Sequence, residues 1–276
     1  MTPDLAKLST DACTLPDGRT LSYATGGDPD GFPVVVHHGT PGSRLFGALL
    51  SEAASEVGVW LVVPDRPGYG RSSPPPDEWS WENWPGDLGA LLDAASVDRA
   101  GALGFSGGGP FALAAASDDR VTRVGLVSSV VPPAENALAT LASVPFALRA
   151  VFRLSKSFAS ISGSSAVVSQ YTDRSVSDAV AEAVAADFHE ALAPGAKAVE
   201  RENRSFASVP FDPDLPDVSV RAWHGTSDDN TSVSPVRSLV RGLDGTLETV
   251  AADHLGTLLD CRRPAPEWVR RGDAPG

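Results

Sequence analysis

The stretch Gly104-Phe105-Ser106-Gly107-Gly108, the one G-x-S-x-G in the chain, leaves few ways to fold around it. Residues 99–105 before it form a short apolar run that reads as a strand. Pro110-Phe-Ala-Leu-Ala-Ala-Ala116 after it opens a helix, because proline is tolerated in a first turn and alanine and leucine propagate well. A serine between the two sits on a sharp turn with its hydroxyl pushed out of the sheet. Glycines two positions either side are required there, since a side chain would collide with the neighbouring strand and helix. A phosphate-cradling loop is the competing use of such glycines, but no Lys-Ser/Thr follows and no G-x-G-x-x-G spacing fits. The pattern therefore points to an activated serine.

The first half of the chain keeps the same strand-then-helix rhythm. Residues 21–25, 33–38 and 59–63 read as strands. Residues 45–57, with Leu45, Leu49 and Ala53 on one face, and 84–95 read as helices, and 121–131 is a β-rich run closed by Pro132-Pro133. Runs apolar on both faces imply a mostly parallel sheet covered by helices on both sides, an α/β class. The alternation then stops from 133 to 217. Leu138, Leu141, Val144, Leu148, Val151 and Phe152 trace a helical stripe kinked at Pro145. Residues 177–192 form another helix, with Ser177 as N-cap and Pro194-Gly195 as its stop. Strands resume at 218–223 and 246–250. The organisation predicted is a core of residues 1–132 and 218–276, with a helical cap, 133–217, inserted after the sixth strand. The alternative is that these helices thicken one side of the sheet. The Pro- and Arg-rich tail, 262–276, is predicted to be partly mobile.

Composition narrows the function classes. The 276 residues suffice for one large core and an inserted subdomain. No apolar run is long enough to span a membrane, and the N-terminal residues lack the basic and apolar segments of a secretory signal. Cys13 and Cys261 stand far apart without metal-ligand spacing, as free thiols in a reducing cytoplasm would. A net charge of -13 argues against nucleic-acid and anionic-membrane partners and leaves a small-molecule substrate; it fixes no oligomeric state. Lys7, Lys156 and Lys197 are the only lysines. Either a GC-rich genome or a halophilic host gives such a balance; the acidic, lysine-poor surface favours the halophile.

A serine hydroxyl needs a base within hydrogen-bond reach, oriented by a third group. His37 and His38 end a strand before the serine, His189 lies in the helical stretch, and His224 ends a later strand. His254 follows the last strand and alone fits the chain order serine, acid, histidine. The acid belongs after the strand at 218–223. Asp228, three residues past Gly225, suits the tight turn; Asp229 is the alternative. Residues 128–133 offer no acid, and Glu135 is the nearest beyond them. Oxyanion donors are expected from the backbone N–H of Gly107 and, in His38-Gly39-Thr40-Pro41-Gly42-Ser43, from that of Thr40.

The HGTPGS loop, Asp65-Arg-Pro-Gly-Tyr-Gly-Arg-Ser72, the GFSGGG elbow, HGTSD at 224–228 and DHLG at 253–256 together resemble the α/β-hydrolase superfamily over roughly residues 20–260. The likeness is to its capped, cofactor-free branch of small esterases, C–C bond hydrolases and proline iminopeptidases. It implies triad roles for Ser106, Asp228 and His254, oxyanion roles for Thr40 and Gly107, and neither a metal nor an organic cofactor. Iminopeptidases typically carry Trp after the serine and acidic cap residues that hold the substrate amine; Gly107 departs from that. Ser106 also speaks against epoxide hydrolases and haloalkane dehalogenases, which use an aspartate. Phe146, Phe152 and Phe158 suggest an apolar acyl or aromatic pocket. The expected activity is hydrolysis of a small, apolar carboxylic ester through an acyl-enzyme. Beside it stand cleavage of another bond (amide, C–C, or a perhydrolase side reaction) and a ligand-binding member that does not turn over.

Overall fold

A computed structural model describes residues 2–134, 141, 146–209, 211, 213, 215 and 218–271, and for 155–162 the backbone alone. Leu138, Val144, Pro145, Glu135 and the Phe158 side chain lie outside the described residues. Eight strands form one sheet: β1 (Ser9–Thr14), β2 (Thr20–Gly27), β3 (Phe32–His37), β4 (Val59–Pro64), β5 (Ala100–Phe105), β6 (Val121–Val127), β7 (Ser219–Gly225) and β8 (Thr246–Val250). Their order is β1-β2-β4-β3-β5-β6-β7-β8. β1 and β2 pair antiparallel, as do β2 and β4, and every other pair is parallel.

Successive side chains of a strand face opposite ways, and the apolar runs supply both faces. Val34 and Val36 pack on one side with Phe46, Leu49, Leu255, Leu258 and Val269. Val35 packs on the other with Leu88, Leu91, Phe111, Val236 and Val240. The first side therefore carries α1 (Ser51–Glu56), α9 (His254–Cys261) and α10 (Pro264–Arg270); the second carries α2 (Trp84–Ala94), α3 (Gly109–Ala115) and α8 (Val233–Gly242). Between β6 and β7 come α4 (Ala147–Ser162), α5 (Ser164–Val168), α6 (Asp178–Ala191) and α7 (Lys197–Ser208). Ser177 caps α6 through its side chain, which accepts from Val180 N. Among the described residues no helix is long and apolar enough to cross a membrane.

Four local readings change. β1 is a polar, mostly exposed edge strand with no apolar alternation to betray it. The segment 45–57 is not one helix but a 3-10 turn, Arg44–Leu49, followed by α1. β6 stops at Val127 because Ser128 turns to φ 46°, so the strand ends before 131. In the tail, 262–271 lie within the described residues and are packed, α10 burying Ala265, Pro266 and Val269; 272–276 lie outside them. Gly101 and Gly125 make room for it, since a Cβ at either would run into Val269. The C-terminal ends of β3, β5, β7 and β8 lie side by side or nearly so in the sheet. The loops leaving them carry Thr40, Ser106, Asp228 and His254 to one edge.

Candidate active site

Ser106 stands at the turn from β5 into a 3-10 segment, Ser106–Gly108, that runs on into α3. Its φ of 53° is left-handed, a costly conformation for a residue with a side chain. The surroundings enforce it. A Cβ on Gly104 would lie 2.7 Å from Gly108 O, and one on Gly108 would lie 2.6 Å from His38 O and closer still to His37 O. The two glycines of the motif thus let β5, α3 and the end of β3 touch, and the turn throws Ser106 outward.

His254 heads α9, whose N-cap Asp253 accepts from Gly256 N at 2.8 Å. The other Asp253 oxygen takes Thr172 Oγ1 at 2.7 Å and Asp173 N at 2.9 Å, fastening the loop before α6 to the residue beside His254. The His254 Nδ1–H donates to Asp228 Oδ2 at 2.8 Å, with Oδ1 at 3.0 Å. Asp228 also accepts from Thr231 N, Thr231 Oγ1 and Asn230 N at 2.9–3.0 Å. Burial alone would raise its pKa, but the His254 bond and charge and these donors outweigh it and hold the group at about 2. An ionised Asp228 fixes the proton of a neutral His254 on Nδ1 and leaves Nε2 as an acceptor. Asp229 is exposed on the same turn, so of the two candidates it is Asp228 that meets the histidine. His224 is wholly buried beneath this turn, its Nε2 donating to Thr231 O at 3.1 Å, and burial lowers its pKa.

Thr40 and Gly107 face each other closely: a Cβ on Gly107 would come within 2.8 Å of Thr40 Cβ and 3.2 Å of Phe206. That contact is a physical reason for glycine after the serine in this chain. The Gly107 N–H lies in the first turn of a helical segment, where amides have no partner within the helix. The other four histidines have partners elsewhere: His37 accepts from Trp84 Nε1 at 2.9 Å, His38 bonds Gly39 O at 2.8 Å, His189 packs edge-on to Phe188, and His224 lies under the loop.

Two cavities meet at Thr40, Ser106, Tyr171 and His254. The narrower, about 40 Å³, is walled by Phe46, Leu49, Phe105, Val184, Phe188 and Leu255, with Asp187 as its one carboxyl. The wider, about 190 Å³, is bordered by Gly107, Phe152, Gln170, Asn203, Phe206 and Thr231. Helices α4, α6 and α7 thus contribute directly to the walls. Asp187 is buried and its Oδ1 accepts from both Ser43 N and Ser43 Oγ at 2.7 Å; burial pushes its pKa up to about 7 despite these bonds. Sequence reading passed over Asp187, Tyr171 and Thr231. For Asp187 a signal existed: it falls on the same helical stripe as Val180, Val184 and Ala191, a polar residue on an apolar face. Among the described residues no three His, Cys, Asp or Glu side chains gather as metal ligands would.

A serine at a strand-to-helix elbow, an Asp–His pair after the last two strands and this strand order define a class. The chain belongs to the alpha/beta hydrolase fold family, whose family model matches residues 33–232. It is similar to a non-heme chloroperoxidase of Streptomyces lividans, 35% identical over 122 residues that cover 43% of this chain and 44% of that protein. The chain spans less than half the length of the curated relatives it matches. Among solved structures it resembles a bromoperoxidase from Bacillus anthracis, with a TM-score of 0.72, 19% identity, and 95% and 98% of the two chains covered. An esterase from Rhodococcus sp. ECU1013 matches with a TM-score of 0.68 and 23% identity over 97% and 100% of the chains. At such identities these structures show the shared fold alone.

Proposed function

We propose that the chain is a serine hydrolase of small carboxylic esters. His254 Nε2 takes the proton of Ser106, whose oxygen attacks the ester carbonyl carbon; Asp228 holds the imidazole and balances its charge. The amides of Thr40 and Gly107 receive the developing oxyanion. The protonated His254 returns its proton to the departing alcohol, and water then attacks the acyl-enzyme with His254 again as base. Residues 133–217 act as the cap, its helices closing both cavities over the serine. The observation that carries this reading is His254, bonded to Asp228, lining the same two cavities as Ser106. Support for amino-terminal amide cleavage is weaker, because Glu202, the acid that α7 sends towards Thr40, is paired with Arg66.

The cavities add a size rule: one substituent of the ester must be small and apolar, and the other can be larger and polar. Placing the acyl group in the narrow cavity gives p-nitrophenyl acetate and propionate as better substrates than the octanoate. A preference for methyl octanoate over p-nitrophenyl acetate would reverse that placement. The test is a p-nitrophenyl ester series with wild type beside Ser106→Ala, at low and high KCl. Turnover that vanishes in the variant is the expected result; equal rates in both proteins would sink Ser106 as nucleophile, and none in either would sink the ester-hydrolase reading.

A further inference from the structure

Behind the Thr40 loop, away from the Asp228–His254 pair, lies a buried cluster that the proposed mechanism leaves unused. Arg66, at the exit of β4, is wholly buried and grips a carboxylate that comes from another part of the chain. Its Nε donates to Glu202 Oε1 and its Nη2 to Glu202 Oε2, both at 2.8 Å. Glu202 sits on α7 and is 2% exposed. It also accepts from Thr40 Oγ1 at 2.6 Å and from Tyr69 OH at 2.9 Å. Four donors on two oxygens leave the carboxylate engaged on both, so it has little left to offer a substrate.

The guanidinium reaches further, to the backbone of the loop. Arg66 Nη1 donates to His38 O, and Nη2 donates to Gly39 O at 3.1 Å and to Thr40 Oγ1 at 3.0 Å. His38 supports the same carbonyl: its Nδ1–H donates to Gly39 O at 2.8 Å while Nε2 accepts from Arg66 N at 3.3 Å. That tautomer needs a neutral ring, and burial lowers the His38 pKa well below its ordinary value. Gly39 O is therefore held from two sides. In a planar trans peptide the C=O and the next N–H point in opposite directions. Fixing Gly39 O on Arg66 fixes the Thr40 N–H facing away from it, and that amide takes no protein acceptor among the described residues. Thr40 borders both cavities that hold Ser106.

We propose that the Arg66–Glu202 pair is a positioning device for the Thr40 amide, so that the oxyanion hole is complete only while α7 is docked. The inference rests on the ester-hydrolase reading above. A buried ion pair is weak evidence for stability, since apolar residues of equal volume often hold two elements together as well. The planar fork of an arginine, aimed at two successive carbonyls and a hydroxyl, supplies orientation instead. The consequence is that helix docking acts on the rate of the chemical step, separately from its effect on closing the cavities.

The experiment measures kcat and KM on p-nitrophenyl acetate for wild type, Glu202→Gln and Arg66→Lys, beside inhibition by phenylboronic acid and by benzyl alcohol. The boronic acid forms an anionic tetrahedral adduct on the serine; the alcohol carries no oxyanion. Deleting an oxyanion donor outright costs on the order of 10²–10³ in kcat, so a misdirected one is expected to cost roughly 10-fold or more. KM should stay within about twofold, the pattern of an interaction made only in the transition state. Phenylboronic acid should weaken by the same factor as kcat/KM falls, and benzyl alcohol should bind unchanged. Arg66→Lys keeps the charge but loses the fork, and should share this signature. Thermal unfolding confirms that each variant is folded; if Glu202→Gln is not, Arg66→Lys and Tyr69→Phe give the same readout without removing the carboxylate. Folded variants with unchanged kcat, or with alcohol binding weakened as much as boronate binding, would overturn the proposal. Wild type that neither turns over esters nor binds the boronic acid overturns the parent reading and this one with it. Normal wild-type turnover with unaffected variants overturns this one alone.

Discussion

Asp187 illustrates how one buried carboxyl sets the pH response of its surroundings. Its folded pKa is raised from 3.8 to about 7 by burial. Between those values the folded state holds a proton that the unfolded chain has released, so stability falls as pH rises through that window. Asp187→Asn keeps an amide oxygen to accept from Ser43 and removes the titration. The variant is expected to melt higher than wild type at pH 8 and to match it near pH 4, with a ceiling on the difference of about 4 kcal/mol. Parallel melting temperatures from pH 4 to 8 would refute this. Asp228 works with the opposite sign. Its pKa falls from 3.8 to about 2, so the stability it confers is present above pH 4 and is lost as pH drops towards 2.

At the scale of elements, the elbow depends on glycines for which no substitute fits. A methyl on Gly108 meets the carbonyl oxygens of His37 and His38, both backbone and unable to move aside without displacing β3. Gly108→Ala is therefore expected to cost several kcal/mol, at the upper end of the range for backbone strain. Gly86, in α2, has open space where its Cβ would stand, and Gly86→Ala should stabilise by about 0.5–1 kcal/mol. Chemical denaturation of both checks the contrast, and a benign Gly108→Ala would mean that the elbow is looser than its contacts imply. The elbow was legible because its requirement is local: strand, left-handed serine and helix follow one another within a dozen residues. His254 was legible from chain order, and Asp228 from its place three residues past Gly225, with Asp229 left as the alternative. Asp187 stood out only as a polar residue on an apolar helix face, and the Arg66–Glu202 pairing not at all, because these roles come from contacts across more than a hundred residues, Asp187 with Ser43 and Glu202 with Arg66 and Thr40. β1 and α10 were missed for a related reason. One is mostly polar and exposed, and the other owes its burial to the absence of side chains at Gly101 and Gly125.

Over the whole molecule, the helices between β6 and β7 are tied to the core by buried polar bonds as well as by apolar contact. Asp187 and Glu190 of α6 hold Ser43 and Arg44, and Glu202 of α7 holds Arg66. These buried pairs lie largely beyond the reach of salt. The chain as a whole is unbalanced: 35 acidic against 22 basic residues leave a net charge of -13, and a half-buried cation such as Arg120 is shared between two acids, Asp93 and Asp118. Added salt weakens each surface pair, worth well under about 1 kcal/mol, but it also screens the repulsion among the unmatched acids. With acids so far in excess, relief of repulsion should win. The melting temperature is expected to rise from low to multi-molar KCl. If simple screening is the cause, most of the rise comes below about 1 M, where the Debye length has shrunk to about 3 Å. A continued rise at higher KCl would point to specific ion and water binding by the acidic surface, the behaviour a halophilic host would select. A flat or falling curve would leave the acidity without a thermodynamic role and return it to genome composition.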